Sequence, residues 1–156
     1  MRFLLVCLIL LPLAVLQPSP VFAETEVLFA PDQSIQEALL KEIDAAQSTI
    51  DLAVREIGSQ NLTQALLRAK RRGVRVRVIT DSKQAKMKSS KITSLIHEGI
   101  SVKVLEGKDH GVMNHRFVIF DGKKAATGSF DWSEASEKWN DENILLLSET
   151  EVVLSY

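Results

Sequence analysis

Apolar residues recur along this chain with two alternating periods, about 3.6 and about 2, which are the spacings of one face of a helix and one face of a strand. Val27 to Phe29 reads as a short strand. Ser34-Ile-Gln-Glu37 has the form of a capping box, and Ile35, Leu39, Leu40 and Ile43 follow it at helical spacing. Thr49 to Val54 is β-branched and apolar, a strand. Asn61 to Arg72 predicts a second helix with Leu62, Ala65, Leu66 and Ala69 inward and Gly73 as its stop. Val74 to Thr80 alternates valine with Arg75 and Arg77, a half-buried strand with one basic face. Ser82 to Ser90 is polar and lysine-rich and reads as a mobile loop. A short helix carrying Ile92, Leu95 and Ile96 ends at Gly99, and Ile100 to Leu105 is a strand. Glu106 to Gly111 is a polar loop. Phe117 to Phe120 is a continuous apolar run, as in a strand buried on both faces. Asp121-Gly122 turns the chain into a strand at Ala125 to Thr127, Trp132 to Lys138 predicts a short helix, and Asn143 to Leu147 a last strand. Strands alternating with helices predict an α/β domain, a mixed, largely parallel β-sheet flanked by helices. Val152 to Tyr156 looks like an element that stops early, so a closing C-terminal helix is expected to be lacking.

The N-terminal stretch stands outside this pattern. Arg2 precedes an apolar run from Phe3 to Leu16, Pro18 and Pro20 break it, and Val21-Phe22-Ala23 supplies small residues where a signal peptidase reads. The run is too short to span a bilayer comfortably, and its three-part layout is that of a secretory signal. Residues 1–23 are therefore read as a signal peptide cleaved after Ala23, and 24–156 as one domain. The rival reading is an uncleaved anchor. Cleavage removes Cys7, the only cysteine, which suits an exported protein, periplasmic or secreted, and excludes disulfides and thiolate ligands. His97, His110 and His115 match no common zinc spacing, so no metal and no other cofactor is expected.

Net charge is −1 but unevenly spread. Arg68 to Lys91 holds ten Lys or Arg and one acid, Asp81, whereas Asp131 to Tyr156 holds seven acids and only Lys138. Basic density of this kind suits a polyanion, or else a solvated helix face. No amphipathic or aromatic-rich segment argues for a lipid surface, so nucleic acid is favoured over phospholipid.

The chemistry concentrates in Asn114-His115-Arg116-Phe117-Val118-Ile119-Phe120-Asp121, followed by Gly128-Ser129-Phe130-Asp131-Trp132, with Asn140-Asp141-Glu142-Asn143 downstream. Its spacing resembles the HKD signature of the phospholipase D superfamily: His, any residue, Lys, four residues, Asp, six residues, Gly-Ser, then Asn two residues on. Ala69 to Val78 and the order of elements are also similar to the small secreted bacterial endonucleases and the mitochondrial cardiolipin-hydrolase-like branch. The resemblance covers essentially all of residues 24–156 and implies a phosphodiester hydrolase that works without metal. In that family a histidine attacks phosphorus, a second copy of the motif protonates the leaving oxygen, and Lys, Ser and Asn hold the phosphate. A chain with one motif then needs a twin, which implies a homodimer with a shared site.

Three positions depart from the signature. Asn114 stands at the nucleophile position, Arg116 at the lysine and Asp131 at the asparagine. Arg116 keeps the positive charge and can fork onto two oxygens. Asp131 sets an anion where a phosphate should rest, unless Arg116 pairs with it. An amide cannot attack phosphorus usefully. Strand alternation turns His115 away from the face of Asn114 and Arg116, though a bulge or a one-residue slip would turn it inward. Three outcomes stay open: His115 or His110 restores the attack, the fold binds phosphates without hydrolysing them, or His115 is a packed or solvent-facing strand residue of no consequence. The candidate catalytic residues are thus His115, Arg116, Asp121 and Glu142, with Asn114, Ser129 and Asp131 as phosphate-binding candidates. Gly128-Ser129 is expected to open a helix whose N–H groups suit an anion. Trp132 and Trp139 are read as core or interface residues, and His97 as a helix C-terminal cap.

Overall fold

The computed structural model describes residues 25–148 and 150–156. The signal-peptide reading, its cleavage after Ala23 and Cys7 lie outside the described residues. The described chain runs β1 (Thr25–Ala30), α1 (Ile35–Ala45), β2 (Thr49–Val54), α2 (Gln60–Arg71), β3 (Arg75–Asp81) and α3 (Ser82–Ala85). It continues through α4 (Ile92–His97), β4 (Ser101–Leu105), a 3₁₀ turn at Lys108–His110, β5 (Arg116–Phe120), β6 (Lys124–Gly128), α5 (Glu134–Lys138), β7 (Glu142–Leu147) and α6 (Thr150–Leu154).

Local chemistry explains where the helices start. Ser34 caps α1 by accepting the Glu37 N–H, and Ser59 caps α2 by accepting that of Leu62. Both helices lay their apolar stripes, Ile35, Leu39 and Ile43 on one and Leu62, Ala65, Leu66 and Ala69 on the other, onto the sheet. The expected mobile loop at Ser82 begins instead with one helical turn, because the Asp81 carboxylate accepts the Lys83 and Gln84 N–H groups.

Among the described residues, seven strands form one sheet in the order β1-β7-β6-β5-β2-β3-β4. It is mixed and flanked by helices, as expected, but the leaning is corrected. Of these neighbouring strands, β2–β3 and β3–β4 pair in parallel; β1–β7, β2–β5, β5–β6 and β6–β7 are antiparallel. The reason is the Asp121-Gly122 turn, whose residues both take positive φ (55° and 63°) and close a tight hairpin that a parallel pair cannot use.

The two faces of the sheet differ. α1 and α2 cover one, where Ile50, Leu52, Val54, Val76, Val78, Val118 and Phe120 are buried. On the other, α6 sets Val153 against Ala125 and Leu147, beside the partly buried Ile119 and Leu145. Over β2, β3 and β4 that second face stays open as a shallow depression of ≈ 540 Å³ between Phe117, Tyr156, Ile79 and the Arg77–Asp51 pair. β5 is therefore buried fully on one face only, which corrects the two-sided burial expected from its apolar run: Val118 and Phe120 are buried, Phe117 and Ile119 half so.

Candidate functional site

The register brings the C-terminal ends of β2, β3 and β6 to the same end of the sheet as the N-terminal ends of β5 and β7. Val54 pairs with Arg116, Phe117 with Thr127, and Gly128 with Ile144. Gly128 is required there, because a Cβ on it would lie 2.2 Å from the Asn143 carbonyl oxygen. Most of the motif residues converge at this end.

Two linked clusters result. In the first, Arg116 donates from Nη1 to Asn114 Oδ1 at 3.1 Å and from Nη2 to Asp131 Oδ2 at 3.0 Å. The same Oδ2 also accepts from Arg55 Nη2 at 3.0 Å and Nε at 3.3 Å. Arg55 lies just beyond β2, and Trp132 sets the spacing. Its N–H donates to the Glu56 carbonyl, and its own carbonyl accepts from Gly58 and Ser59. In the second cluster, Ser129 Oγ donates to Glu142 Oε2 and accepts the Asn143 N–H at 3.1 Å. Glu142 Oε1 accepts from Ser136 Oγ at 3.2 Å and from Asn140 Nδ2 at 3.1 Å.

Burial gives these charges weight. The side chains of Asp131, Arg116 and Arg55 are 8%, 19% and 31% exposed, so the pairs are only partly screened by water. Arg116 Nε and Asp131 Oδ1 are buried and have no hydrogen-bond partner among the described residues. Desolvation pushes the carboxyl of neighbouring Glu56 up from its ordinary range, the Asp131 charge adds to this, and Arg55 pulls against both. Asp81, at the end of β3, is held below the usual range. Burial opposes this, but the N–H groups of Gln84, Met113 and Lys83 outweigh it.

The candidate residues divide accordingly. Arg116, Asp131 and Asn114 meet in one cluster, and Ser129 and Glu142 in the adjoining one. Glu142 is occupied by Ser129, Ser136 and Asn140, and orients no imidazole among the described residues. Ser129 sits at a strand end rather than opening a helix: α5 begins at Glu134 with Ser133 as its cap, so the expected helix N-terminus is not at Gly128-Ser129. His115 is exposed on the opposite face, its ring 5.7 Å from that of Phe117. β5 pairs continuously from Arg116 to Phe120, without the slip that would turn His115 inward. His110 lies exposed in the loop between β4 and β5.

Asp121 is a correction. Five residues beyond Arg116 along the strand, about 16 Å at ordinary strand rise, it lies at the far end of the sheet. There it accepts from the N–H groups of Gln47, Ser48 and Thr49 and from the Ser48 hydroxyl. These bonds hold its carboxyl down at about 2 against the opposing effect of burial. It clamps the start of β2 and the β5–β6 turn, and it is remote from the Arg116–Asp131 cluster. Arg55 and Glu56 escaped the sequence reading; the available signal was a charged pair directly after a buried strand, at the strand end where α/β sheets place ligands. Trp132 is buried in the core, Trp139 is 74% exposed, and His97 closes α4. Among the described residues no cluster of three or more His, Cys, Asp or Glu could hold a metal ion, and no helix is long and apolar enough to cross a membrane.

A family described as "Cardiolipin synthase, PLD-like domain" matches residues 39–156. The mitochondrial cardiolipin hydrolase of Xenopus laevis is 37% identical over 118 residues, covering 76% of this chain and 55% of that protein. A phospholipase D of Rickettsia conorii is 32% identical over 128 residues, covering 82% and 63%. The chain thus spans between half and two-thirds of the length of these relatives. Among solved structures, NucT from Helicobacter pylori superposes with a TM-score of 0.77 at 24% identity, covering 86% of this chain and 91% of that one. Nuc from Salmonella typhimurium, titled a phospholipase D family member, gives 0.77 at 23%, covering 86% and 89%. At such identities the likeness speaks for the fold. The family match, which spans most of the chain, and the relative sharing 37% of its residues establish that this chain belongs to the phospholipase D-like phosphodiesterase family.

Proposed function

We propose that this protein engages phosphodiesters, nucleic acid before phospholipid, at the sheet end carrying Arg116 and Ser129, and that its hydrolytic step is impaired. One observation carries the reading. The group beside Arg116 is the Asn114 amide, 3.1 Å away, while His115 packs on Phe117 across the sheet. Arg116 supplies a fixed cation and Ser129 a hydroxyl, both suited to phosphate oxygens. The amide supplies no attacking nitrogen. In this reading binding needs no metal ion, because the positive charge comes from arginine.

The basic stretch supports a polyanion, but only in part. Arg68 and Arg72 are tied to Asp44, Lys70 to the Glu98 carbonyl and Arg77 to Asp51, all away from the site end. Lys83, Lys86 and Lys88 follow β3 at the site end, are exposed, and form no ion pair among the described residues. The relatives named cardiolipin hydrolase and phospholipase D keep phospholipid as the alternative substrate.

A second reading, hydrolysis served by His110, rests on where its loop is fastened. The Met113 N–H donates to Asp81 Oδ2 at 3.1 Å, which ties the loop to the site end of the sheet. Export, with cleavage after Ala23, and assembly with a second copy belong to the same proposal. Plasmid nicking in EDTA separates the readings. The expected result is no nicking, together with retention of single-stranded DNA that weakens with salt. Nicking that His110→Ala abolishes establishes the second reading. Failure to bind DNA or anionic vesicles at low salt overturns both. Sequencing the N-terminus of the exported protein tests the cleavage.

A further inference from the structure

The Arg55–Asp131–Arg116 arrangement is poorly built for stability alone. A strong carboxylate–guanidinium pair uses both oxygens in a fork. Here three donor atoms converge on Oδ2, while Oδ1 and Arg116 Nε remain buried without partners among the described residues. Charge explains the arrangement better. A site with one cation and a neutral amide carries one net positive charge. With Asp131 in place of the amide, Arg116 alone would leave a net charge of zero, and a phosphate would be repelled by a carboxylate held in low dielectric. The second guanidinium restores the balance, since two arginines and one aspartate again sum to one positive charge.

We propose that Arg55 is the compensating partner of Asp131: by neutralising that carboxylate it leaves the Arg116 charge free to attract a phosphoryl anion. This rests on the phosphodiester-binding reading and names the residue on which that reading depends. Arg55 is a positioning residue in this scheme, since it acts through Asp131. The geometry assigns it the task because its Nε and Nη2 both bond the oxygen that Arg116 uses, at 3.3 and 3.0 Å. Its side chain, 31% exposed, lies nearer solvent than that of Arg116 at 19%.

The test is a double-mutant cycle read by affinity for inorganic phosphate at low salt, with thermal unfolding of every variant alongside. Asp131→Asn removes the carboxylate that both guanidiniums share and is expected to tighten phosphate roughly tenfold or more. Arg55→Ala in the natural background should weaken phosphate by a similar factor. The double variant should return close to the natural affinity, because the net charge is again one. Arg55→Lys, which keeps the charge without the fork, should stay within about threefold of the natural protein and covers the case in which Arg55→Ala does not fold. If phosphate binds, but Arg55→Ala leaves its affinity unchanged, if the double variant stays well below the natural affinity, or if Arg55→Lys loses binding outright, compensation is wrong and the phosphate-site reading survives. If neither the natural protein nor Asp131→Asn binds phosphate, the reading itself fails and takes this inference with it.

Discussion

Two carboxylates outside the Arg55–Asp131–Arg116 cluster show how differently one residue type can be used. Asp121 accepts four hydrogen bonds at a turn, and its carboxyl is held at about 2 rather than 3.8. Its folded-state value is depressed, so its contribution is complete above pH 3.8 and lost as pH falls through about 2. Asp121→Ala should cost on the order of 1–2 kcal/mol at neutral pH, discounted because the group is half-exposed. Urea unfolding at pH 7 and pH 2 checks this; a gap that persists undiminished at the lower pH rules out the linkage. Glu56 is the opposite case. Its folded value is raised by burial and by Asp131, so the folded state keeps a proton that the unfolded chain has released, and stability falls as pH rises from about 4.5. Glu56→Gln should therefore stabilise by a few tenths of a kcal/mol at pH 7 and be neutral below the ordinary carboxyl range. Equal effects at both pH values would contradict it. The decisive residue remains Asn114. Asn114→His together with Arg116→Lys should create metal-independent nicking on the order of a hundredfold above the natural chain. A folded double variant that stays silent would mean that the surrounding scaffold, rather than the missing imidazole, limits the chemistry.

At the scale of elements, the basic stretch is divided by the fold. The C-terminal end of α2 packs its arginines into a structural network, with Arg72 donating to the Ile43 and Ala46 carbonyls as well as pairing with Asp44. The segment from Ser82 onward begins at the site end, held there by Asp81, whose carboxylate gathers β3, α3 and the loop before β5. Replacing Lys83, Lys86 and Lys88 with alanine should reduce the salt slope of single-stranded DNA binding by about 0.7 for each phosphate no longer neutralised. Replacing Arg71, the last residue of α2, and Arg75, the first of β3, both exposed at the end of the sheet away from the site, should leave the slope as it is. The reverse pattern would move the polyanion track to the other end of the sheet.

For the whole molecule, a single motif in one domain bears on assembly. A site that takes a second group from a twin requires a pair of chains, and light scattering of the purified protein should return the mass of two if the site is shared. A strict monomer that still binds DNA would show that the cradle works from one chain. The second face of the sheet, open beside Phe117 and Tyr156 and carrying His115, is separate from the Arg116 cluster, so changes at His115 should leave DNA binding intact.

Local pattern was enough to place α1 with its serine cap, α2 and the strands β2, β3 and β5, because capping and period are properties of a few neighbouring residues. The spacing from Asn114 to Asp131 pointed to the family for the same reason, and strand alternation placed His115 away from Arg116. Distances between segments far apart in sequence were decided only by the fold. Arg55, 76 residues from Asp131, reaches its carboxylate through the pairing of β2 with β5, and no local pattern records that. Asp121 carried the right spacing and lies at the wrong end of the sheet, because a strand of five residues separates by its length what the sequence sets side by side. Composition showed a basic stretch; tertiary structure chose which of its charges are paired within the protein and which face outward.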